Sequence, residues 1–236
     1  MEKKISIKQA IGYGWKKFWP RWKFYVGIIL GTLAVSWVFS LISGIFRDQA
    51  LVSFLMSIIG FIIQILISIG LITIFIKSAR EKDVSWNDML VNKGRFLKFF
   101  GVSILFQIIV VLGFVLLIVP GIYLALRYQY AYYAILDNPE ISIGRAFKQS
   151  SHMTKDIKWK LFWFGMVSIG IALLGMLALG IGLFVAIPVL GLSQSFVYIH
   201  IRKTYHDDFL EKESAEGKVV EAEVEPVEIT SESSKE

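Results

Sequence analysis

Apolar residues run nearly unbroken through 24–46, 51–76, 99–126 and 161–201, and each run reaches the ~20 residues an α-helix needs to cross a bilayer. Three stretches ahead of such runs carry a different pattern. "ISIKQAIGYGWKKFWPRWKF" from Ile5, "VSWNDMLVNKGRFLKFF" from Val84 and "ISIGRAFKQSSHMTKDIKWKLF" from Ile141 each open with a β-branched residue and then Ser6, Ser85 or Ser142. A serine there caps a helix by accepting from its free N–H groups. Apolar residues follow at helical spacing: Ile7, Ala10, Ile11, Trp15 and Phe18; Trp86, Met89, Leu90 and Leu97; Ile143, Ala146, Phe147, Met153 and Ile157. Lys8, Arg145, Lys148 and Lys155 fall on the other faces. The pattern predicts amphipathic helices over about 6–18, 85–97 and 142–155, lying in the headgroup plane with their basic side in water. Six of the seven tryptophans, at 15, 19, 22, 86, 159 and 163, fall in these stretches or directly after them, and an amphipathic ring prefers the interface.

The long apolar stretches read as hairpins. Residues 24–46 and 51–76 are joined by "RDQA", and 161–203 carries Gly180, Gly182 and Pro188 at its natural turn. Residues 99–136 are harder, because "RYQYAYY" weakens the second limb. However, "VPGIYLALRYQYAY" (119–132) aligns with "IPVLGLSQSFVYIH" (187–200), placing Pro120 on Pro188, Tyr130 on Tyr198 and Arg127 on Ser195. The expected fold is an all-α membrane protein with six transmembrane helices as three hairpins, each preceded by a cytoplasmic interfacial amphipathic helix. Its spans are about 24–46, 51–76, 99–118, 120–136, 161–180 and 183–203. The three units repeat in parallel, unlike the inverted repeats of many transporters.

Charge orients this arrangement. With six crossings, segments 1–23, 77–98, 137–160 and 202–236 hold 23 of the 25 Lys and Arg. Arg47 falls in an outer loop and Arg127 within a span. The Lys/Arg bias of the loops sets orientation, so both termini are expected in the cytoplasm of a multi-pass cell-membrane protein. Residues 207–236 hold eleven acids against three lysines, and so low a hydrophobic content predicts a disordered tail after a membrane domain of 1–206. The basic body points to anionic lipid headgroups rather than nucleic acid. The headgroup contacts expected are Lys16, Lys17, Arg21, Lys23, Arg95, Lys98, Arg145, Lys148, Lys155, Lys158 and Lys160.

Candidate chemistry is sparse. Cysteine is absent, which removes thiolate nucleophiles and Cys-type metal sites. His152, His200 and His206 show no metal-pair spacing, and the predicted spans contain neither Asp nor Glu. A hydrolase needs paired carboxylates, a metal cluster or an activated nucleophile, so no enzyme, cofactor or metal is expected. Asp137 and Glu140, flanking Pro139, read as initiators of the following helix at its positive N-terminal dipole. Arg127, Gln64, Gln107 and Gln194 are the candidates for an intramembrane polar site, with interhelical hydrogen bonding the commoner role of such glutamines. Gly27 with Gly31, and Ser53 with Ser57, have the spacing that lets helices approach closely.

The run "PGIYLALRYQYAYYAILDNPEISIGRAFKQSSHMTKDIKWKLF" (120–162) resembles the signature of a bacterial domain-of-unknown-function family of multi-pass membrane proteins. That family is in turn similar to the membrane domain attached to some glycerophosphoryl diester phosphodiesterases. The likeness rests on Pro120, Gly121, Asp137, Asn138, Pro139, Ser150, Lys158, Trp159, Lys160 and Phe162. It implies membrane location and topology. It does not imply phosphodiesterase activity, because the soluble catalytic domain has no counterpart here. The function expected is a non-enzymatic membrane scaffold or partner subunit that binds anionic lipid and other membrane proteins or copies of itself. The alternative is a small transporter or channel using Arg127 and the glutamines.

Overall fold

The computed structural model describes residues 6–46, 48–89, 93–178 and 180–215, with 93–94 and 205–215 described by backbone alone. Arg47 and residues 216–236 of the predicted tail lie outside the described residues. Among those described, the structure is helical without a strand. Its helices are α1 Ile7–Phe18, α2 Trp22–Ile45, α3 Ala50–Ala79, α4 Lys93–Leu116, α5 Ile118–Tyr128, α6 Ala131–Asp137, α7 Ile143–Thr154, α8 Lys158–Leu177 and α9 Leu183–Ala215, with 3-10 turns at Trp19–Arg21 and Trp86–Met89.

Among the described residues, five runs are long and apolar enough to cross a membrane: Ile7–Ile45, Ala50–Ala79, Arg95–Leu116, Lys158–Leu177 and Leu183–Thr204. Leu33, Trp37 and Leu41 on α2, Phe54 and Ile58 on α3, Val111 and Val115 on α4, and Leu173 on α8 are exposed. Soluble monomers rarely present apolar surface on that scale, and the arrangement is consistent with a membrane protein. Buried side chains concentrate at one end of the bundle. On α3 they run from Ile65 to Ser78, and on α2 they are Tyr25, Ile28 and Ile29.

Helices α2, α3 and α8 match their predicted spans, and three other expectations are corrected. Of the second interfacial helix, 85–97, Leu90 and the two residues after it lie outside the described residues; the rest is the short Trp86–Met89 turn and the start of helix α4 at Lys93. The Asp88 carboxylate accepts the Ser85 N–H at 2.9 Å and the Lys77 ammonium at 2.5 Å. Burial raises the pKa of this carboxyl, but the bonds from Lys77 and Ser85 outweigh burial and hold it below its ordinary value. The Trp86 ring lies against Gly27 and Phe24, and the Met89 backbone against Gly70. So tethered to α2 and α3, the segment cannot lie free along a membrane surface. Gly31, the other half of the expected close-approach pair, faces open space.

The second correction concerns 120–136, which is two helices, α5 and α6, meeting at Gln129–Tyr130. Leu117 is extended (φ −168°, ψ 159°), and this single residue reverses the chain so that α5 packs back on α4. Gly121 lies against the Phe114 ring, and a side chain at Gly113 would meet the Gly121 backbone. Pro120 sits in the first turn of α5, where its missing N–H has no helical partner to lose. Third, Pro188 lies inside α9 rather than at the turn before it. That turn is made by Gly180, whose φ of +76° favours glycine, and by close contact of Gly182 with Gly175. Helix α9 also continues to Ala215, into residues expected to be tail.

Helix α1 packs antiparallel along α9. Ala10 is buried with Val197 and Ile201, the Tyr13 and Phe196 rings stack at 4.4 Å, and Phe18 meets Val189 and Leu192. Its apolar side is therefore covered by protein instead of lipid, while Lys8 and Lys16 remain exposed. Ser6 takes the N-cap position without a side-chain cap bond; Ser142 of α7 makes one, to the Arg145 N–H at 3.4 Å.

Contact between α1 and α9 is closest at Gly14, where any Cβ would overlap the Val189 carbonyl and Ser193 Oγ. Gly12 has open space. Gly14→Ala should destabilise the detergent-solubilised protein by about 1–3 kcal/mol of overpacking, read as an earlier thermal unfolding transition. Gly12→Ala should leave the transition unchanged or raise it slightly.

Candidate functional site at a broken helix

The Asp137 carboxylate closes α6 with its side chain 2% exposed. It accepts from Arg80 Nη2 at 2.5 Å, from Arg202 Nη1, and from the Tyr198 hydroxyl at 3.0 Å. Arg80 directly follows α3, while Tyr198 and Arg202 lie on α9, so one carboxylate ties three helices together. This corrects the expectation for Asp137: it ends a helix and anchors a buried ion-pair network rather than starting the next helix. The Asn138 side chain accepts the Glu140 N–H at 3.1 Å, and the Pro139 carbonyl accepts the Lys98 ammonium. The D-N-P-E turn is thereby held to α4.

A few residues upstream, the joint between α5 and α6 leaves backbone groups without helical partners. Helix α7 supplies replacements. Ser150 Oγ donates to the Arg127 carbonyl at 2.9 Å and accepts the Tyr130 N–H at 3.2 Å. Thr154 Oγ1 also reaches the Arg127 carbonyl, at 3.1 Å. Both hydroxyls are fully buried, where an unmet backbone group costs about 1–3 kcal/mol. Beyond the joint, the rings of Tyr130, Tyr133 and Tyr198 cluster with centroids 5.3–5.9 Å apart. The Tyr130 hydroxyl is buried among them without a hydrogen-bond partner among the described residues.

The four candidates for an intramembrane polar site do not converge. Gln64 and Gln107 are exposed on the outer sides of α3 and α4. Gln194 donates to the Gln129 side chain at 3.0 Å, linking α9 to the helix joint. Arg127 donates from Nε to Ser151 Oγ at 2.7 Å and lies 5.3 Å from the Tyr128 ring.

Among the expected headgroup contacts, Lys16, Arg21, Lys23, Arg145, Lys148, Lys155 and Lys160 are exposed, whereas Lys17, Arg95, Lys98 and Lys158 are half-buried. Arg21 pairs with Asp83 at 3.1 Å and Lys17 with Glu81 at 3.6 Å. Lys158 donates to the Tyr123 hydroxyl at 2.8 Å. Trp159 is exposed at the start of α8. The residues that sequence reading missed are Arg80 and Arg202, counted only as cytoplasmic cations, and Thr154. Nothing along the chain pairs Asp137 with residues so distant. The Ser-x-x-x-Thr spacing of 150 and 154, one helical turn apart on the apolar side of α7, was the available signal.

The chain matches the profile of a protein family of unknown function, DUF975, over residues 108–205. No curated protein and no solved structure matches it. The matched stretch runs from within α4 to within α9 and holds the helix joint, Asp137, Ser150, Thr154 and Arg202, but not Arg80.

Removing one partner from a buried ion network costs about 3–5 kcal/mol. Asp137→Asn should therefore lower the unfolding temperature sharply, by leaving two arginines unneutralised. The triple change Asp137→Leu, Arg80→Met, Arg202→Met should recover a large part of that loss, as measured in the same detergent. Ser150→Ala should destabilise by about 1–3 kcal/mol through the unmet Tyr130 N–H, and Ser151→Ala by less.

Proposed function

We propose that the chain is a non-enzymatic integral protein of the cell membrane, a scaffold or partner subunit whose basic cytoplasmic side holds anionic lipid. The observation that carries this reading is the segregation of exposed side chains. Large apolar groups cover α2, α3, α4 and α8, and exposed lysines and arginines gather on α1, α7 and the turn into α8. Lipid contact runs through those exposed basic sides, since the apolar sides of α1 and α7 are packed against other helices. Six crossings with cytoplasmic termini remain the topology we favour. Lys98, near the start of α4, reaches Pro139, just past α6, which supports a return of the chain to the side it left through a discontinuous fourth crossing by α5 and α6. The kinship with phosphodiesterase membrane domains stands on the motif at 120–162 alone.

A broken helix is also the feature around which transporters build substrate sites, and it favours the transport alternative. Against it, Ser150 and Thr154 satisfy the freed backbone groups, Gln129 and Gln194 bond each other, and Gln64 and Gln107 face outward. The scaffold reading is the better supported.

Reporter fusions after residues 23, 150 and 210 should report cytoplasm, and those near 48, 120 and 181 the outside. A cytoplasmic report near 120 ends the six-crossing topology. Each Lys or Arg near an anionic surface contributes about 1 kcal/mol, so neutralising Lys16, Lys23, Arg145, Lys148 and Lys155 together should reduce co-purifying anionic phospholipid severalfold. Unchanged lipid content overturns the lipid-binding reading, and solute uptake by proteoliposomes of the purified chain would establish the transport one.

A further inference from the structure

Helices α5 and α8 meet with two cations on the facing sides. Tyr123 and Arg127 are one turn apart on α5 and share a face. Lys158, the first residue of α8, donates to the Tyr123 hydroxyl at 2.8 Å and stands 4.3 Å from the centre of its ring. Arg127, one turn further along α5, is near enough for its charge to act on the same hydroxyl. Arg127 Nε is held by Ser151 Oγ at 2.7 Å, which fixes the guanidinium plane against α7. No ion pair between a carboxylate and Arg127 or Lys158 is formed among the described residues, where Glu81, Asp83, Asp88 and Asp137 pair with other cations.

Two positive groups set beside one exposed hydroxyl repel each other. An anion between them removes the penalty. A planar guanidinium and an ammonium beside hydroxyl groups match the oxygens of a phosphate. The surroundings specify what carries the phosphate. Ile118, Val119 and half-exposed Tyr123 on α5, with Trp159 and Trp163 on α8, leave apolar surface open on both sides of the cations. A ligand seated here has a charged head and an apolar body, and tryptophans flank it as they flank headgroups.

We infer that the crevice between α5 and α8 is a discrete site for one anionic phospholipid, its phosphate held by Arg127 and Lys158 beside the Tyr123 and Ser151 hydroxyls. This deepens the lipid-binding reading above and rests on it. It departs from that reading in placing one tightly held lipid at a defined position, where the exposed lysines of α1 and α7 attract lipid diffusely. It also gives Arg127 a role that the aligned Ser195 of α9 cannot share.

The test uses the full chain in nanodiscs of equal parts phosphatidylglycerol and phosphatidylcholine, with lipid retention after release into detergent read by native mass spectrometry. The wild type should keep one phosphatidylglycerol in preference to phosphatidylcholine. Retention should fall about fivefold for each cation removed, in Lys158→Met and in Arg127→Leu. Lys158→Met, a change at a half-buried side chain at the helix start, keeps the test valid if Arg127→Leu fails to fold. Arg127→Lys should restore part of the binding, and Lys203→Met, a change at an exposed side chain of α9, should leave it unchanged. Equal retention by wild type and Lys158→Met overturns this site while leaving diffuse lipid binding standing. A wild type that keeps no phosphatidylglycerol overturns both. Displacement of the lipid by inorganic phosphate at matched concentration would assign the site to a free anion and overturn the lipid assignment.

Discussion

A carboxylate removed from water needs donors already in place around it, and Asp137 has three, from Arg80, Tyr198 and Arg202. The rest of the bundle's basic end follows from that requirement. Arg80 can reach Asp137 only if α3 ends beside α6, and Arg202 only if α9 passes the same point. In an apolar setting the hydrophobic effect gives helices little reason to associate, since lipid tails are as apolar as leucine. Directional contacts then carry more of the specificity. The concentration of buried side chains near this network, and their scarcity along the outer halves of α2 and α3, fits that division of labour.

The helix joint at Gln129–Tyr130 solves a second problem, how to break a helix where water is scarce. Unpaired backbone groups in such surroundings are tolerated only where protein re-satisfies them. Ser150 does this with one hydroxyl used twice, as donor to Arg127 and acceptor from Tyr130, and Thr154 adds a second donor. The break has a structural consequence for Arg127. It places the side chain at the end of α5, beside Ser151 and the start of α8, instead of midway along an uninterrupted span. The cost of burying a charge is thereby lowered by geometry, and the cation comes to lie one helical turn from Tyr123, the partner of Lys158.

The residues by which the chain resembles an uncharacterised membrane family turn out to be largely the ones with such duties. Gly121 allows α5 to close on α4, Asp137 holds the ion network, Asn138 and Pro139 shape and tether the turn, and Ser150 bridges the break. Trp159 and Lys158 sit instead at the surface, where α5 meets α8. A motif of this kind describes how the middle of the bundle is assembled, and Trp159 and Lys160 near its end are exposed.

The length of the apolar runs and the placement of Lys and Arg were enough to read an all-helical chain with membrane-compatible helices, and to place α2, α3 and α8 within a few residues. Those features depend on local composition and on period, which a single chain displays directly. Helices α1 and α7 were also legible as one-sided, but not what covers that side; α9 and the α5–α6 joint do, and no local signal distinguishes a protein surface from a lipid one. The second interfacial helix failed for the same reason, because Lys77 and Asp88 pin residues 85–89 through a contact between separate elements. Gln64, Gln107, Arg127 and Gln194 looked alike as polar residues in apolar runs, and only their angular position around each helix separated outward from inward. The Asp137 network lay furthest from view. Its partners are 57, 61 and 65 positions away along the chain, and such a contact is a statement about distance in space, which folding alone decides.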